Sequence, residues 1–276
     1  MEGMNSLMLN TDGVQIPQLG FGVWQVPADG AEQAVSTALE AGYRHIDTAA
    51  AYGNEEGVGR AVRASGLPRE KVFVTTKLWN GDHGRAAEAF DESLSRLGLD
   101  YIDLFLIHWP VPQQDKYVQA WKAMEKIYRD GRVKAIGTSN FTVQSLTRLM
   151  EEGEIAPSIN QIELHPYLQQ REMRAFHEAN GILTEAWSPL GQGKGLLSDP
   201  ALAVLSDKYG KTPAQIVLRW HLQLGNVVIP KSVTPSRIAE NIDVFGFILD
   251  AEDMAAIGAL NRGERIGPDP DTFNMT

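Results

Sequence analysis

The chain has 276 residues, 43% of them hydrophobic, and 35 acidic against 25 basic residues give a formal net charge of −10. This length and composition predict a large core and a single domain over residues 1–276. The acidic balance argues against an extended surface for nucleic acid or anionic lipid. Because the chain has no cysteine, disulfides, thiol nucleophiles and cysteine-bound zinc are excluded.

The first residues predict neither a signal peptide nor a membrane anchor. Segment 1–13, MEGMNSLMLNTDG, lacks a basic patch followed by a long apolar run. Nowhere does the chain approach about 18 consecutive apolar residues. We therefore expect a cytoplasmic protein without membrane association, and we expect a monomer. Within the same segment, "TDG" at 11–13 predicts the turn of a short hairpin.

Eight short apolar runs follow the predicted hairpin. Most are too short for helices and start about 24 to 32 residues apart, which is the usual length of a strand-helix unit. The runs are 19–22 (LGFG), 45–49 (HIDTA), 72–77 (VFVTTK), 104–109 (LFLIHW), 135–139 (AIGTS), 159–164 (INQIEL), 183–187 (LTEAW) and 226–230 (NVVIP).

Amphipathic segments between the runs predict helices, most clearly over 29–41, 84–97 and 118–130. Eight strand-helix repeats without a linker favour an α/β fold, a (β/α)8 TIM barrel with an N-terminal β-hairpin and extra C-terminal helices. The alternative is an open doubly wound sheet. It is disfavoured because the runs number eight, as in the barrel, and because no G-x-G-x-x-G follows any strand. The segment "GQGKG" at 191–195 has the wrong spacing for that motif.

Polar and aromatic side chains stand at nearly every predicted strand end, where a barrel of this kind places its chemistry. Taken singly, each has an ordinary structural interpretation: a lone histidine is usually structural, and a lysine ending a strand is usually solvated. Their convergence on one rim favours a functional site. These side chains are Asp47, Tyr52, Lys77, His108, Trp109, Ser139, Asn140, Gln161, Trp187, Ser188, Lys231 and Ser232.

Four of these groups together form a proton-transfer device. A tyrosine with a pKa of about 10 is a poor acid at neutral pH, and a nearby ammonium lowers that pKa. Lys77 supplies the ammonium, Asp47 holds it in place, and His108 offers a hydrogen bond to a substrate oxygen beside Tyr52. The sequence contains no metal-ligand cluster and no nucleophile paired with a base. Such a site supplies a proton but no electrons, so a hydride donor must be bound.

The segments that carry these residues resemble the catalytic segments of the aldo-keto reductases. They are "GYRHIDTAAAYGNE", "VTTKLW" and "LFLIHWP", and the likeness continues through "GTSNF", "NQIELHP", "WSPLGQG" and "IPKSVTPSRIAEN". The short chain and Trp187 are most similar to the bacterial 2,5-diketo-D-gluconate reductase branch. The resemblance implies NADPH-dependent reduction of aldehydes or ketones on a (β/α)8 barrel, with Asp47, Tyr52, Lys77 and His108 as catalytic residues.

The same resemblance implies the residues that hold NADPH. Ser139, Asn140 and Gln161 are expected at the nicotinamide carboxamide, and Trp187 is expected to stack on the ring. The remaining cofactor residues that it implies are Ser188, Leu190, Lys231, Ser232, Arg237 and Asn241. The residues themselves add an argument, because a short helix predicted from about Pro235, capped by Thr234, offers an anion a helix N-terminus beside two cations.

Three tryptophans, Trp24, Trp79 and Trp109, follow predicted strands and are expected to wall an apolar pocket for a small-molecule carbonyl substrate. The loop after the fourth run is short, and the tail NRGERIGPDPDTFNMT is modest. We therefore expect an open site for small aldehydes, α-dicarbonyls or keto-sugars.

Two other classes of function remain open at this stage. One is a non-catalytic binding module, like the barrel subunits that accompany potassium channels. The other is a barrel glycosidase with a carboxylate pair, for which Glu163 and Glu185 are the candidates. Turnover of NADPH with an aldehyde distinguishes the reductase from a binding module, and binding of NADPH distinguishes it from a glycosidase.

Overall fold

The computed structural model describes residues 8–11 and 13–276. Strands β1 (Met8–Thr11) and β2 (Val14–Pro17) pair antiparallel and form the predicted N-terminal hairpin. Asp12 of the predicted turn lies outside the described residues, and so do residues 1–7 of the segment that predicts no signal peptide.

Eight parallel strands follow, and each pairs with the next along the chain. They are β3 (Phe21–Gly22), β4 (His45–Asp47), β5 (Phe73–Leu78), β6 (Ile102–Ile107), β7 (Val133–Ser139), β8 (Ile159–Glu163), β9 (Leu183–Trp187) and β10 (Val227–Val228).

The first and last strands of this sheet meet and close it into a barrel. Leu19, just before β3, forms a parallel bridge with Val228. The backbone N–H of Gly20 donates to Val228 O at 2.8 Å, and that of Val228 donates to Gln18 O at 2.8 Å. The predicted barrel is therefore confirmed, and the open doubly wound sheet is wrong.

Ten helices lie within the described residues. They are α1 (Ala28–Ala41), α2 (Glu55–Ala64), α3 (Ala86–Leu97), α4 (Tyr117–Arg129), α5 (Val143–Glu152), α6 (Arg171–Ala179), α7 (Pro200–Tyr209), α8 (Pro213–Gln223), α9 (Pro235–Ile242) and α10 (Ala251–Gly258). The three predicted helices correspond to α1, α3 and α4 within two residues at each end. α10 supplies an extra helix near the C-terminus.

The helices form where the sequence places an apolar stripe and a stop signal. In α1 the buried stripe includes Val35, Ala38 and Leu39, and the helix ends at Gly42, whose φ of 109° is left-handed. In α4 the stripe includes Trp121, which is fully buried against the barrel. No helix within the described part of the chain is long and apolar enough to span a membrane.

The barrel interior is divided into an apolar lower part and a polar upper part. Seven buried apolar side chains, among them Ile16 from the hairpin, fill the end at which the strands begin. Toward the ends of β4, β5, β8 and β9 the buried residues become polar: Asp47, Lys77, Gln161 and Glu185. Burying several ionisable groups at one end of a core costs free energy, which points to function at that end.

Three predicted strands are at least two residues shorter than expected: β3 lacks residues 19–20 of the predicted run, and the other two are β4 and β10. β4 stops at Asp47, not residue 49, and the chain bends into a 3-10 turn over Ala50–Tyr52. β10 contains only Val227–Val228 of the predicted 226–230. The bend after β4 brings the Tyr52 side chain back over the end of β5.

Candidate active site

Lys77, the penultimate residue of strand β5, lies at the centre of the polar cluster. Its side chain is fully buried. The ammonium Nζ donates to Asp47 Oδ1 at 2.6 Å, to Thr48 O at 2.9 Å and to the Tyr52 hydroxyl at 3.3 Å. The strand register places Asp47 next to β5, and the bend after β4 supplies Tyr52. Three of the four expected catalytic residues are thus joined by direct contacts.

The electrostatics of this trio bear on acid strength. Burial raises the pKa of the Tyr52 phenol more than the ammonium of Lys77 lowers it, so the net pKa of Tyr52 lies above its ordinary value. Burial by itself lowers the pKa of Lys77, but the charge and hydrogen bond of Asp47, with smaller contributions from Tyr52 and Glu185, together outweigh burial, so the net pKa of Lys77 is raised. Lys77 therefore stays charged, and it favours the phenolate that remains when Tyr52 gives up a proton.

His108 follows β6 and completes the group. Its ring lies edge-on to Tyr52 with centroids 5.7 Å apart, and edge-on to Trp79 at 5.4 Å. Burial, and then the charge of Lys77, hold the pKa of His108 well below its usual value. The imidazole is therefore neutral and can donate one hydrogen bond.

Ser139, Asn140 and Trp187 are connected beside this cluster. Asn140 has left-handed backbone geometry with φ 61°, which asparagine tolerates better than most residues. Its amide Nδ2 donates to His108 O at 3.0 Å and to Ser139 Oγ at 3.1 Å, and its Oδ1 accepts from Trp187 Nε1 at 2.8 Å. The three residues expected around the nicotinamide thus share one hydrogen-bond network.

Gln161 links that network to the polar cluster around Lys77. Its Nε2 donates to Asp47 Oδ2 at 2.8 Å, so Asp47 is held by Lys77 on one oxygen and by Gln161 on the other. Sequence analysis expected Gln161 only at the nicotinamide. The contact with Asp47 was missed because it joins strands β4 and β8, which are far apart in sequence.

Ser188 and Leu190 follow β9 and are both half-buried. Ser188 has a left-handed φ of 49°, an uncommon conformation for a residue with a side chain. Its hydroxyl accepts from Gln192 Nε2 at 2.7 Å.

The segment before α9 carries the predicted anion site. Lys231 and Arg237 are exposed, and neither forms an ion pair within residues 13–276. Helix α9 begins at Pro235 with Thr234 at its cap position, as predicted. The Thr234 side chain makes no capping bond, however, and Ser232 Oγ accepts from its backbone N–H at 3.1 Å instead. Asn241, near the end of the helix, is buried.

The three tryptophans differ in their environments. Trp24 is 43% exposed, Trp79 is half-buried against His108, and Trp109 is buried. The Trp109 ring packs against Phe273 at a centroid distance of 4.3 Å. One face of the expected apolar pocket is therefore made by a residue of the tail.

The tail from about residue 261 folds back over the strand ends. Glu163, buried at the end of β8, accepts hydrogen bonds from Ile266 N at 2.6 Å, Gly267 N at 2.8 Å and His165 Nε2 at 2.9 Å. At the other end of the tail, Asn80 Nδ2 donates to Met275 O at 2.7 Å. Sequence analysis described the tail only as modest. A glutamate near the end of a buried strand was the available signal for its anchor.

Comparisons with known proteins agree with this geometry. The family model described as "Aldo/keto reductase family" matches residues 18–262. An aldo-keto reductase of Mycolicibacterium smegmatis is 58% identical over 96% of this chain and 97% of its own length. The methylglyoxal reductase DkgA of Escherichia coli is 56% identical over 95% and 96%.

Among solved structures, a mutant of Gox0644 in complex with NADPH has a TM-score of 0.93 and 47% identity, covering 97% of this chain and 98% of that one. The expected resemblance is thus confirmed in sequence and in fold. The chain belongs to the aldo/keto reductase family of oxidoreductases.

Proposed function

We propose that this protein reduces small aldehydes or ketones to alcohols, with NADPH as the hydride donor and Tyr52 as the proton donor. The observation that carries the proposal is the position of Lys77 Nζ, 2.6 Å from Asp47 Oδ1 and 3.3 Å from the Tyr52 hydroxyl. An ammonium held this way makes a phenol a stronger acid than burial alone allows. Bound NADPH supplies the hydride that reduces the carbonyl carbon.

The residues of the chain supply the proton. The Tyr52 O–H donates to the carbonyl oxygen as that oxygen gains negative charge, and the alcohol O–H forms as the phenol O–H breaks. Lys77 stabilises the phenolate that remains, and Asp47 keeps the ammonium oriented. The neutral imidazole of His108, edge-on to Tyr52, is placed to donate a second hydrogen bond to the same substrate oxygen.

Unpaired cations near α9 support the assignment of NADPH. The chain carries a net charge of −10, yet Lys231 and Arg237 are exposed beside a helix N-terminus with no ion pair within the described residues. A phosphate group provides the negative charge that would pair with these two cations. We assign them, with Ser232, to the 2′-phosphate, which NADPH carries and NADH does not.

The nicotinamide end of the cofactor fits the network around Asn140. Ser139, Asn140 and Gln161 offer amide and hydroxyl groups that match a carboxamide, and Trp187 offers an indole face. Since Gln161 also donates to Asp47, it joins the proposed carboxamide site to the catalytic pair.

Small carbonyl compounds are the substrates we favour, and the relative named methylglyoxal reductase supports α-dicarbonyls in particular. The short segment between β6 and α4 and the aromatic wall of Trp79 and Trp109 suit an apolar substrate of modest size. A pocket of about 460 Å³ behind the loop of Tyr52 is also lined by Trp79, but none of Asp47, Tyr52, Lys77 and His108 lines it, so we do not assign the substrate there.

A panel of carbonyl compounds, assayed by loss of NADPH absorbance, tests the proposal. We expect turnover of several small aldehydes and α-dicarbonyls. No NADPH oxidation with any of them would favour a non-catalytic binding module. A preference for one compound by several orders of magnitude would contradict the broad substrate range. A glycosidase is disfavoured, because Glu163 is occupied by the tail.

A further inference from the structure

A second carboxyl group is buried near the Asp47–Lys77 pair. Glu185 lies on β9, two residues before its end, and is fully buried. Neither of its carboxyl oxygens has a hydrogen-bond partner among the residues that the structure describes. A buried carboxylate loses its hydration, and the attraction of Lys77 and the Gln161 amide does not make up that loss here, so ionisation is disfavoured. The geometry therefore favours the neutral acid.

His45 does not neutralise Glu185. Its Nε2 is 3.9 Å from Glu185 Oε1, which is too long for a hydrogen bond. Its Nδ1 is 3.3 Å from Pro17 O and its Nε2 is 3.0 Å from Thr75 Oγ1. Because a carbonyl only accepts, Nδ1 carries the proton and Nε2 accepts from the hydroxyl. Burial lowers the pKa of His45 to about 4, so the ring is neutral.

The charged neighbours of Glu185 are those of the catalytic cluster. The charge of Asp47 on β4 raises the pKa of Glu185 and that of Lys77 on β5 lowers it. An ionised Glu185 in turn raises the pKa of Tyr52. Its register partners on the flanking strands, Gln161 and Val227, do not titrate. Burial and then Asp47 raise the pKa of Glu185 to about 8, against smaller opposing effects of the Gln161 amide and Lys77.

We propose that Glu185 holds a proton beside the catalytic cluster in the active enzyme, and that losing this proton to solvent weakens Tyr52 as an acid. This inference rests on the proposed role of Tyr52. Asp47 and Lys77 balance each other's charge, so an ionised Glu185 adds an uncompensated negative charge that opposes phenolate formation. Glu185 is thus a positioning residue, since it acts through the field at Tyr52.

The direction of the pH dependence follows from this charge. Below about pH 8 Glu185 is neutral and the cluster is balanced; above it the extra charge appears. At an effective dielectric constant of about 20, a unit charge changes an ionisation equilibrium about tenfold even from roughly 12 Å away, so an ionised Glu185 should slow proton transfer by at least about tenfold. Because the folded pKa lies above the ordinary value of 4.5, Glu185 stabilises the fold fully below that value and ceases to do so as the pH rises through about 8.

The first measurement detects the proton directly. Infrared spectra of the wild type and of Glu185→Gln are compared across the pH range, so that the difference reports the carboxyl of Glu185. We expect a protonated-carboxyl band at neutral pH that disappears in alkaline solution. A carboxylate band at neutral pH would overturn the proposal. Should Glu185→Gln not fold, carboxyl-labelled glutamate in the wild type gives the same titration by NMR.

The second measurement links the proton to catalysis. We expect kcat of the wild type to fall about tenfold more than kcat of Glu185→Gln as the pH rises above about 8. The control is Glu125→Gln on α4, a buried glutamate whose Oε1 accepts from Glu154 N and Ile155 N. Gln retains that acceptor, so this control should follow the wild type.

The outcomes separate this inference from the proposed function. Identical pH profiles for the wild type and Glu185→Gln, with the carboxyl band present, would overturn the link to Tyr52. Loss of activity in Glu185→Gln at every pH would also overturn it, because a neutral side chain should suffice. If Tyr52 is not the acid, Tyr52→Phe stays active while the infrared band of Glu185 is unchanged.

Discussion

At the scale of single residues, the Asp47–Lys77 pair determines what Tyr52 can do. Both side chains are buried, and burial of an isolated ammonium or carboxylate is costly. The short contact between them offsets part of that cost and fixes a positive charge 3.3 Å from the phenol. The same charge also lowers the pKa of His108 and so contributes to keeping its imidazole neutral.

Lys77→Met tests the role of this charge. Methionine retains an unbranched side chain and removes the ammonium, so the pKa of Tyr52 rises and the phenol becomes a weaker acid. We expect kcat to fall about 100-fold or more. Breaking a buried pair also costs about 3–5 kcal/mol of stability, so rates are compared where circular dichroism shows a folded protein.

The control for Lys77→Met is Lys134→Met, which removes an ammonium at the start of β7, paired with Asp103 at 2.9 Å. It should leave kcat unchanged. Equal losses in the two variants would mean that Lys77 contributes stability and not acidity.

Residue types and their order along the chain were enough to predict that Asp47, Tyr52, Lys77 and His108 lie together, because each stands at or just after the end of a predicted strand. Other contacts at the site could not be predicted from the sequence. The bond from Gln161 to Asp47 and the lack of partners at Glu185 depend on which side chains point inward from distant strands. The periodicity of the sequence predicts on which face of a strand a side chain lies, but not which residue of a distant strand it contacts.

At the scale of elements, local sequence signals predict where the helices end, but they do not predict which helices pack against each other. Gly42 and Gly98 end α1 and α3 with left-handed geometry, which the sequence indicated. Gly59, in the middle of α2, carries no such signal. A Cβ built there would lie 1.9 Å from Leu97 O, so α2 and α3 approach each other through this glycine.

Gly59→Ala should therefore destabilise the fold by roughly 3 kcal/mol, since α2 and α3 must move apart. Gly30→Ala is the matched change in α1, where a Cβ meets no atom closer than 3.9 Å. It should stabilise by about 0.5 kcal/mol, because alanine is the better helix former. Chemical denaturation of both variants measures the difference. A similar midpoint for the two would show that the contact at Gly59 is absent.

Helix α9 carries the prediction for the cofactor. Arg237 lies in its first turn, exposed, and makes no ion pair within residues 13–276. A charge-assisted bond to a phosphate contributes about 1.5–3 kcal/mol, so Arg237→Ala should raise the Kd for NADPH about tenfold or more and leave that for NADH nearly unchanged.

Fluorescence titration with both cofactors measures the effect of Arg237→Ala. Arg132→Ala, which removes an arginine paired with Asp91, is the control and should alter neither Kd. Equal weakening for NADPH and NADH in Arg237→Ala would mean that this residue holds the loop and not the 2′-phosphate.

At the scale of the whole molecule, the barrel was predictable and the path of the tail was not. Eight evenly spaced runs specify eight strands, and their number and order lead to closure between Leu19 and Val228. The tail has no periodic pattern to place it. Its course is set by single contacts, from Glu163 at Ile266 and Gly267 to Trp109 at Phe273.

The tail also changes the expectation for the substrate pocket. Its short length suggested an open site, but it crosses the strand ends and contributes Phe273 beside Trp109. Gly267 passes so close to Trp187 that a Cβ there would lie 2.4 Å from the indole. The wall of the proposed substrate site is therefore shared between the loops of the barrel and the tail.

The central claim is that Tyr52 is the proton donor, and Tyr52→Phe tests it most directly. Phenylalanine keeps the ring beside His108 and removes only the hydroxyl near Lys77. In a single turnover with saturating NADPH and an aldehyde, we predict a rate about 1,000-fold lower than that of the wild type, with the Kd for NADPH within about twofold. A variant that retains most of the wild-type rate would contradict the account.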